Sequence, residues 1–450
     1  MIKIGPILFL GLVLVRCTPD HQVSSIQVDN TQLFHKSVKQ LTDIIVYDVF
    51  SPPVASRVYA YPAIAAYEII QQASPTLTSL AGQINGLTNI PPIDSTTQIN
   101  TSIAAIEAFT LLGRQLVFSV EKMDAFRDSF HNAWLEIGIT PGQLEASQKY
   151  AREVVQHINS WMDKDFYKET RTYPKFNIDD KDASRWEPTP PAYIDGIEPH
   201  WNKIRPMVMD SASQFIPPPP PLFSIEPGSD FYKEAMIVYD SVNQIEKECY
   251  DIAKFWDCNP FVSHQKGHVM SATKKISPGG HWIGITGLAC KKSGLAIDKT
   301  IEAYTLVSIG LFDAFISCWD EKYRSDLIRP ETYINEYIDE DWKPILQTPP
   351  FPEHTSGHSV VSRTSAILLT QIFGNNFEYI DTVEEEFGLP ARSYDSFLQA
   401  SEEAAISRLY GGIHYMPAIT EGIKQGEKVG KLIISRVHTQ NQPINMSTIQ

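Results

Sequence analysis

The sequence predicts an all-α fold, a helical bundle, on three observations. Long segments carry apolar residues at helical spacing. Alternating, strand-like patterns are scarce. Prolines crowd into one stretch between Lys164 and Ser229, with helical patterns on both sides of it.

The chain begins MIKIGPILFLGLVLVRC. Lys3 precedes an apolar run from Ile7 to Val15, too short to span a bilayer but suited to a signal-peptide core. Cys17 follows at once, as in a bacterial lipoprotein, where this cysteine is lipidated and becomes the first residue. Leu14 and Val15 fit that pattern; Arg16, where a small residue is usual, does not. An ordinary cleaved signal or an uncleaved anchor is the alternative. Residues 1–17 are therefore expected to direct export, to the periplasm or as an outer-membrane lipoprotein. No other stretch reads as long and apolar enough to cross a membrane.

Residues 18–165 read as an N-terminal helical region. Its helical segments are Leu33–Phe50, Ala55–Gln72, Ile99–Phe118 and Leu144–Met162. Residues 166–230 form a proline-rich irregular strap. Pro174, Pro188, Pro190, Pro191, Pro199 and Pro206 precede the run Pro217–Pro221, which excludes regular helix. The aromatic residues Trp186, Tyr193, Trp201, Phe215 and Phe223 favour a strap packed over helices rather than a free linker. Residues 231–440 form a C-terminal helical region, and 441–450 a tail. Within it, a long amphipathic helix ends near Trp319–Lys322, and Pro330 forbids continuation beyond Arg329.

The 450 residues allow one to three domains, and 43% hydrophobic with 20% charged residues excludes wholesale disorder. A net charge of −15 argues against nucleic-acid binding. It also means that any cluster of cations must serve a local purpose, since the overall field repels anions. Cys249, Cys258, Cys290 and Cys318 lack paired C-x-x-C spacing, so a zinc site is not expected from them. Some could pair in an exported protein; buried free thiols are the other reading.

Three clusters in the C-terminal region share one kind of chemistry. Lys322 and Arg329 are seven apart, two helical turns, so both can point the same way, with Trp319 one turn before Lys322 on that face. The stretch PPFPEHTSGHSVV then brings Ser356, Gly357 and His358 to the mouth of a helix. A hydroxyl, a closely approachable backbone and a proton carrier meet there at the positive end of a helix dipole. Finally SRLYGGIHYMPA carries Arg408 and His414. Continuous helix would turn His414 about 240° away from Arg408. Gly411-Gly412 can break it, and Pro417 suits the first turn of a further helix. Three fixed cations, a hydroxyl, a backbone N–H and two histidines match a tetrahedral oxyanion such as phosphate or vanadate.

Lys-x6-Arg-Pro, then Ser-Gly-His, then Ser-Arg-x5-His, in this order within about 95 residues, resembles the vanadium-dependent haloperoxidase and type 2 phosphatidic acid phosphatase superfamily. That family is an all-α bundle, in agreement with the periodicity. The resemblance implies that Lys322, Arg329, Ser356, Gly357 and Arg408 bind the oxyanion oxygens. It makes His358 the acid–base residue and gives Lys322 the further task of polarising peroxide. It makes His414 the vanadium ligand of a haloperoxidase or the phosphorylated nucleophile of a phosphatase. Trp319 and Phe351 resemble the halide-side aromatics of chloride-oxidising members; simple core packing is their other reading. The expected cofactor is vanadate. The expected partners are hydrogen peroxide, a halide and an organic acceptor, with a membrane met only through a lipid anchor.

There are departures. Thr355 replaces the usual proline before Ser-Gly-His. Ala418 stands where many members carry an aspartate that activates the nucleophilic histidine, which weakens the phosphatase reading more than the vanadate one; Glu421 is the candidate to compensate. His354 is extra, placed to tune the halide side or to cap the loop. His264 and His268 are four apart, a metal pair if helical, but Gly267 and the lack of a third ligand leave them structural. The expected function is a vanadate-dependent haloperoxidase. The alternatives are an acid phosphatase working through a phosphohistidine and a surface lipoprotein that binds an anion or carbohydrate without chemistry.

Overall fold

The computed structural model describes residues 29–179, 181–266 and 269–440. The signal-like segment, Cys17, His268 and the 441–450 tail lie outside them. The N-terminal part comprises α1 (Asn30–Tyr47), α2 (Pro52–Ile70), α3 (Thr101–Gln115), α4 (Val120–Glu136), α5 (Pro141–Met162) and the single turn α6 (Tyr167–Thr170). Capping explains the starts: the Asp29 carboxylate accepts from the N–H groups of Thr31 and Gln32 before α1, and Thr140 caps α5 ahead of Pro141. Helix α2 is buried on every side, so it is a central helix rather than an amphipathic one. Helix α4 was not expected from the sequence. Only Met123, Phe130 and Trp134 on it are buried, which leaves too narrow an apolar stripe to stand out.

The second part comprises α7 (Asp230–Asn243), α8 (Lys247–Phe255), an antiparallel hairpin of β1 (Ser263–Lys266) and β2 (Val269–Ala272), α9 (Pro278–Lys292) and α10 (Ile297–Ser325). Then follow α11 (Pro330–Tyr337), α12 (Gly357–Phe373), the small antiparallel pair β3 (Tyr379–Asp381) and β4 (Arg392–Tyr394), α13 (Phe397–Tyr410) and α14 (Met416–Arg436). Among the described residues the fold is all-α apart from these two strand pairs. His264 lies on β1, so it is not half of a helical metal pair.

Helix α10 runs through the middle, against α2 on one side and α12 on the other, and one apolar core joins α1 to α14. By length and composition α10 could cross a membrane, contrary to the sequence expectation; here 94% of its most apolar stretch is buried, as in a central core helix. Its Asp313 is completely buried, and its carboxylate accepts from the backbone N–H groups of Met207, Val208 and Met209 at 2.6–2.9 Å. That clamp draws the proline-rich stretch onto α10. The clamp's carboxyl is pushed up to about 6 by burial. Further along, the Ile197 carbonyl accepts from both Trp319 Nε1 and the Tyr323 hydroxyl.

Helices α12 and α14 approach closely because Gly426 faces Val360: a Cβ there would lie 2.2 Å from the Val360 carbonyl oxygen. No side chain fits at that separation, and even milder overpacking costs about 1–3 kcal/mol. This contact sets the start of α12, which carries His358, against the start of α14, which follows His414. Cys249, Cys258, Cys290 and Cys318 are all free thiols.

Candidate active site

Lys322 and Arg329 do not share a helix face. Helix α10 ends at Ser325, and Asp326 turns left-handed (φ +48°) as its C-cap. An Arg185 ion pair at 3.2 Å and the Trp186 N–H on its carbonyl hold Asp326 there. Arg329 instead caps α11, with Pro330 in the first turn. The two cations meet through a loop. Lys322 Nζ donates to the Pro352 and Glu353 carbonyls, both at 3.0 Å. Arg329 donates from Nε to the Phe351 carbonyl (2.9 Å) and from Nη1 to the Ile413 carbonyl (2.8 Å). Its buried Nη2 has no partner among the described residues.

Ser356 caps α12, its Oγ accepting from the Ser359 N–H at 3.3 Å, and its own N–H donates to the Ala418 carbonyl at 3.0 Å. At Gly357 a Cβ would meet only Trp319 Cζ3, at an ordinary 3.7 Å, so protein packing alone does not demand glycine. His358 presents an unpartnered Nε2, while its ring also meets the Trp256 carbonyl. Arg408 Nη2 donates to that same carbonyl at 2.6 Å. Burial first, then the Arg408 charge, hold His358 well below the usual imidazole range.

The chain leaves α13 at Tyr410 and turns at Gly412 (φ +78°), as the paired glycines predicted, and Pro417 enters the first turn of α14. His414 lies in that break. Its Nδ1 is 2.8 Å from Glu353 Oε1, which also accepts the Tyr415 N–H at 2.9 Å. Its Nε2 is 3.2 Å from Arg329 Nη1. Burial, then Arg329, Lys322, Arg408 and His358, hold His414 far below its ordinary value. The imidazole is therefore neutral. With Nδ1–H given to Glu353, Nε2 carries no proton, and its lone pair faces the Arg329 Nη1 donor.

Glu353 was not foreseen. It orients the His414 ring, the task for which the sequence offered Glu421 in place of an aspartate at position 418. Glu421, the sequence candidate, pairs with Lys424 at 2.7 Å on the exposed side of α14. Burial pushes Glu353 up to about 7, and its Oε2 has no partner among the described residues. Thr355 is accommodated by donating its hydroxyl to Gln425 Oε1 at 2.6 Å. His354 is fully buried beside the backbone of Pro218 and does not line the pocket.

Gly357, His358, Arg408, His414, Trp319 and Phe351 line one pocket, joined by Phe261, which the sequence did not single out. Lys322, Arg329 and Ser356 stand behind its wall. The Trp319 and Phe351 rings touch, centroids 4.9 Å apart, and Phe351 lies 5.0 Å from Lys322 Nζ and 5.2 Å from the Arg329 guanidinium. Burial lowers Lys322 to about 7 and Arg408 to about 10. Crowded buried cations, an orphaned Arg329 donor and an unprotonated His414 nitrogen are the surroundings a tetrahedral oxyanion would complete.

Residues 302–443 match the family model of the second helical-bundle domain of VCPO. A solved bacterial vanadium-dependent iodoperoxidase is 52% identical, over 92% of this chain and 98% of that one, with a TM-score of 0.88. The holo and apo forms of a bacterial vanadium-dependent chloroperoxidase share the fold at 15% and 14% identity. They cover 86% and 85% of this chain and 92% and 93% of theirs, with TM-scores of 0.64 and 0.62. No curated protein sequence matches significantly. Identity over half the positions, across nearly the whole of both chains, places this protein in the vanadium-dependent haloperoxidase family, whose members oxidise halide with hydrogen peroxide on a vanadate cofactor.

Proposed function

We propose that vanadate is held by Lys322, Arg329, Ser356, Gly357 and Arg408, with His414 Nε2 as its protein ligand. The observation that carries this reading is the unprotonated Nε2 of His414, its ring oriented by Glu353, beside the Arg329 guanidinium and among four basic groups. Bound vanadate supplies a Lewis acid that activates hydrogen peroxide toward halide without changing oxidation state. The other steps belong to the chain. Lys322 adds charge at the peroxide. His358, neutral and with Nε2 free, takes the peroxide proton and returns it to the departing oxygen. Trp319 and Phe351 keep water from the halide.

Iodide is proposed as the halide turned over most readily. It is the easiest of the three common halides to oxidise, and the 52%-identical relative is described as an iodoperoxidase. The oxidised halide then passes to an organic acceptor outside the pocket. Purified protein assayed with iodide, bromide and chloride, with and without vanadate, tests both points. Halogenation that is indifferent to vanadate would refute the first, and bromide or chloride turned over faster than iodide the second.

A second reading keeps one specific support. The His414–Glu353 pair is also what a phosphohistidine mechanism needs, so Ala418 does not weigh against phosphatase chemistry as the sequence suggested. Phosphate-ester hydrolysis by vanadate-free protein tests it. Export and lipidation at Cys17 are proposed on the N-terminal sequence alone. Fatty-acid labelling that is equal in wild type and Cys17→Ser would refute lipidation there.

A further inference from the structure

We infer that Cys258, His281 and Glu384 form a binding site for a zinc ion, built at the edge of the vanadate pocket and using none of its oxyanion-binding residues. Three distant segments supply it: the loop after α8, the first turn of α9 and the turn after β3. All three side chains are buried.

The geometry carries the inference. Cys258 Sγ lies 3.4 Å from His281 Nδ1 and 3.6 Å from Glu384 Oε1, and Nδ1 lies 3.0 Å from that same Oε1. Zinc bonds are about 2.3 Å to sulfur and about 2.0–2.2 Å to nitrogen or oxygen, so tetrahedral ligand atoms stand about 3.3–3.6 Å apart. The observed triangle needs shifts of only a few tenths of an ångström.

A second, independent feature points the same way. His281 Nε2 is 2.8 Å from Asp381 Oδ2, at the far side of the ring. A carboxylate behind a histidine fixes the tautomer and turns the other nitrogen toward a metal. Trp256 stacks on the ring, with centroids 4.6 Å apart, and stops it from rotating. A thiolate, an imidazole and one carboxylate suit zinc better than calcium or magnesium, which prefer oxygen alone. On binding, the Cys258 thiol proton leaves to solvent, as does any proton on His281 Nδ1. Bonds from sulfur, nitrogen and oxygen to the ion form, and no electrons change hands. Cys258 also lines the active pocket, whose water can fill the fourth position.

The ion would act on the active site at a distance of two residues. Trp256 offers the carbonyl that receives Arg408 and faces His358. Tying Cys258 to α9 would hold that carbonyl in place, which makes the zinc ligands positioning residues.

The test is metal analysis of the full chain, purified in zinc without chelator, dialysed and kept free of vanadate. Stoichiometric zinc is expected, with cobalt-substituted protein showing thiolate-to-cobalt charge-transfer absorption. Cys258→Ser and His281→Gln should lose both signals, and Asp381→Asn should weaken zinc affinity about 10–100-fold. Wild type that sheds its zinc on dialysis, or that binds cobalt without the thiolate band, would overturn the proposal even if every variant misfolds. So would folded Cys258→Ser that keeps zinc at wild-type affinity.

Discussion

Glu353 and His414 form a buried pair, Oε1 to Nδ1 at 2.8 Å, although sixty-one positions separate them in the chain. The carboxylate arrives from the loop before α12, and the imidazole from the break before α14. The same Oε1 takes the Tyr415 N–H. One residue thus holds both the ring and the backbone beside it, and it leaves Nε2, 3.2 Å from Arg329 Nη1, as the ring nitrogen without a proton.

Glu353→Ala should therefore weaken vanadate binding about 10–100-fold, the usual effect of removing a residue that orients a metal ligand. It should also cost about 1–3 kcal/mol of stability for the donors left unpaired. Glu353→Gln keeps an acceptor oxygen and should lose much less. Vanadate titration and thermal unfolding of both variants are the measurements. Equal affinity in wild type and the alanine variant would show that the pair does not serve the ligand.

His414→Ala should abolish vanadate-dependent halogenation while keeping a cooperative unfolding transition. His414 sits in a break between helices rather than inside one, so no helix depends on it. A folded variant that retained vanadate-dependent turnover would remove His414 from the mechanism.

Phosphate should compete with vanadate, because both are tetrahedral oxyanions facing the same cations. Turnover by loaded enzyme should fall in excess phosphate and return on adding vanadate. If phosphate neither binds nor inhibits, Lys322, Arg329 and Arg408 do not act on one ligand.

Affinity for such anions should fall as pH rises through about 7. Lys322, held down to about 7, loses its positive charge there, and Glu353, pushed up to about 7, gains a negative one. Both changes make the pocket less positive, so they act in the same direction. A bound anion raises the Lys322 value, so the decline continues above 7, at up to about tenfold per pH unit for each proton linked. Molybdate keeps its charge across this range, which leaves only the protein to titrate. Rising molybdate affinity between about pH 6 and about pH 8 would contradict the assignment.

What the sequence revealed and what it hid divide along one line. Local chemistry was readable: the helix break at Gly411-Gly412, the cap at Ser356 and the first-turn prolines each depend on neighbours in the chain. Relationships that close through space were not. The left-handed Asp326, which takes Arg329 off α10, is held by Arg185 from the strap. Glu353 stands three residues before Ser356 in plain view, yet its role appears only when two loops meet. His281 shows no motif, because its partners lie 23 residues before it and 100 and 103 residues after it. One signal could have been read: Gly422, Gly426 and Gly430 repeat every four residues along the face of α14 that presses on α12.

Trp319 and Phe351 should separate in their effects. Both line the pocket and touch each other, so either could shield a halide from water. A smaller, more strongly hydrated halide gains most from that shield. Replacing either ring with alanine should therefore depress turnover of bromide, and of any chloride accepted, more than turnover of iodide. In their effect on vanadate the structure divides the two. The Phe351 ring lies against both Lys322 and Arg329, and its carbonyl holds Arg329 Nε. Its loss should loosen both cations and raise the vanadate Kd as well. Trp319 is farther from Lys322, at 5.9 Å, and its Nε1 is spent on the Ile197 carbonyl of the strap. Trp319→Ala should leave vanadate affinity nearly unchanged, at the cost of a looser strap and a lower Tm. The measurements are kcat/KM for each halide, vanadate Kd and Tm in both variants. If Trp319→Ala loses vanadate as strongly as Phe351→Ala, the two rings support the oxyanion together and neither is a dedicated halide wall.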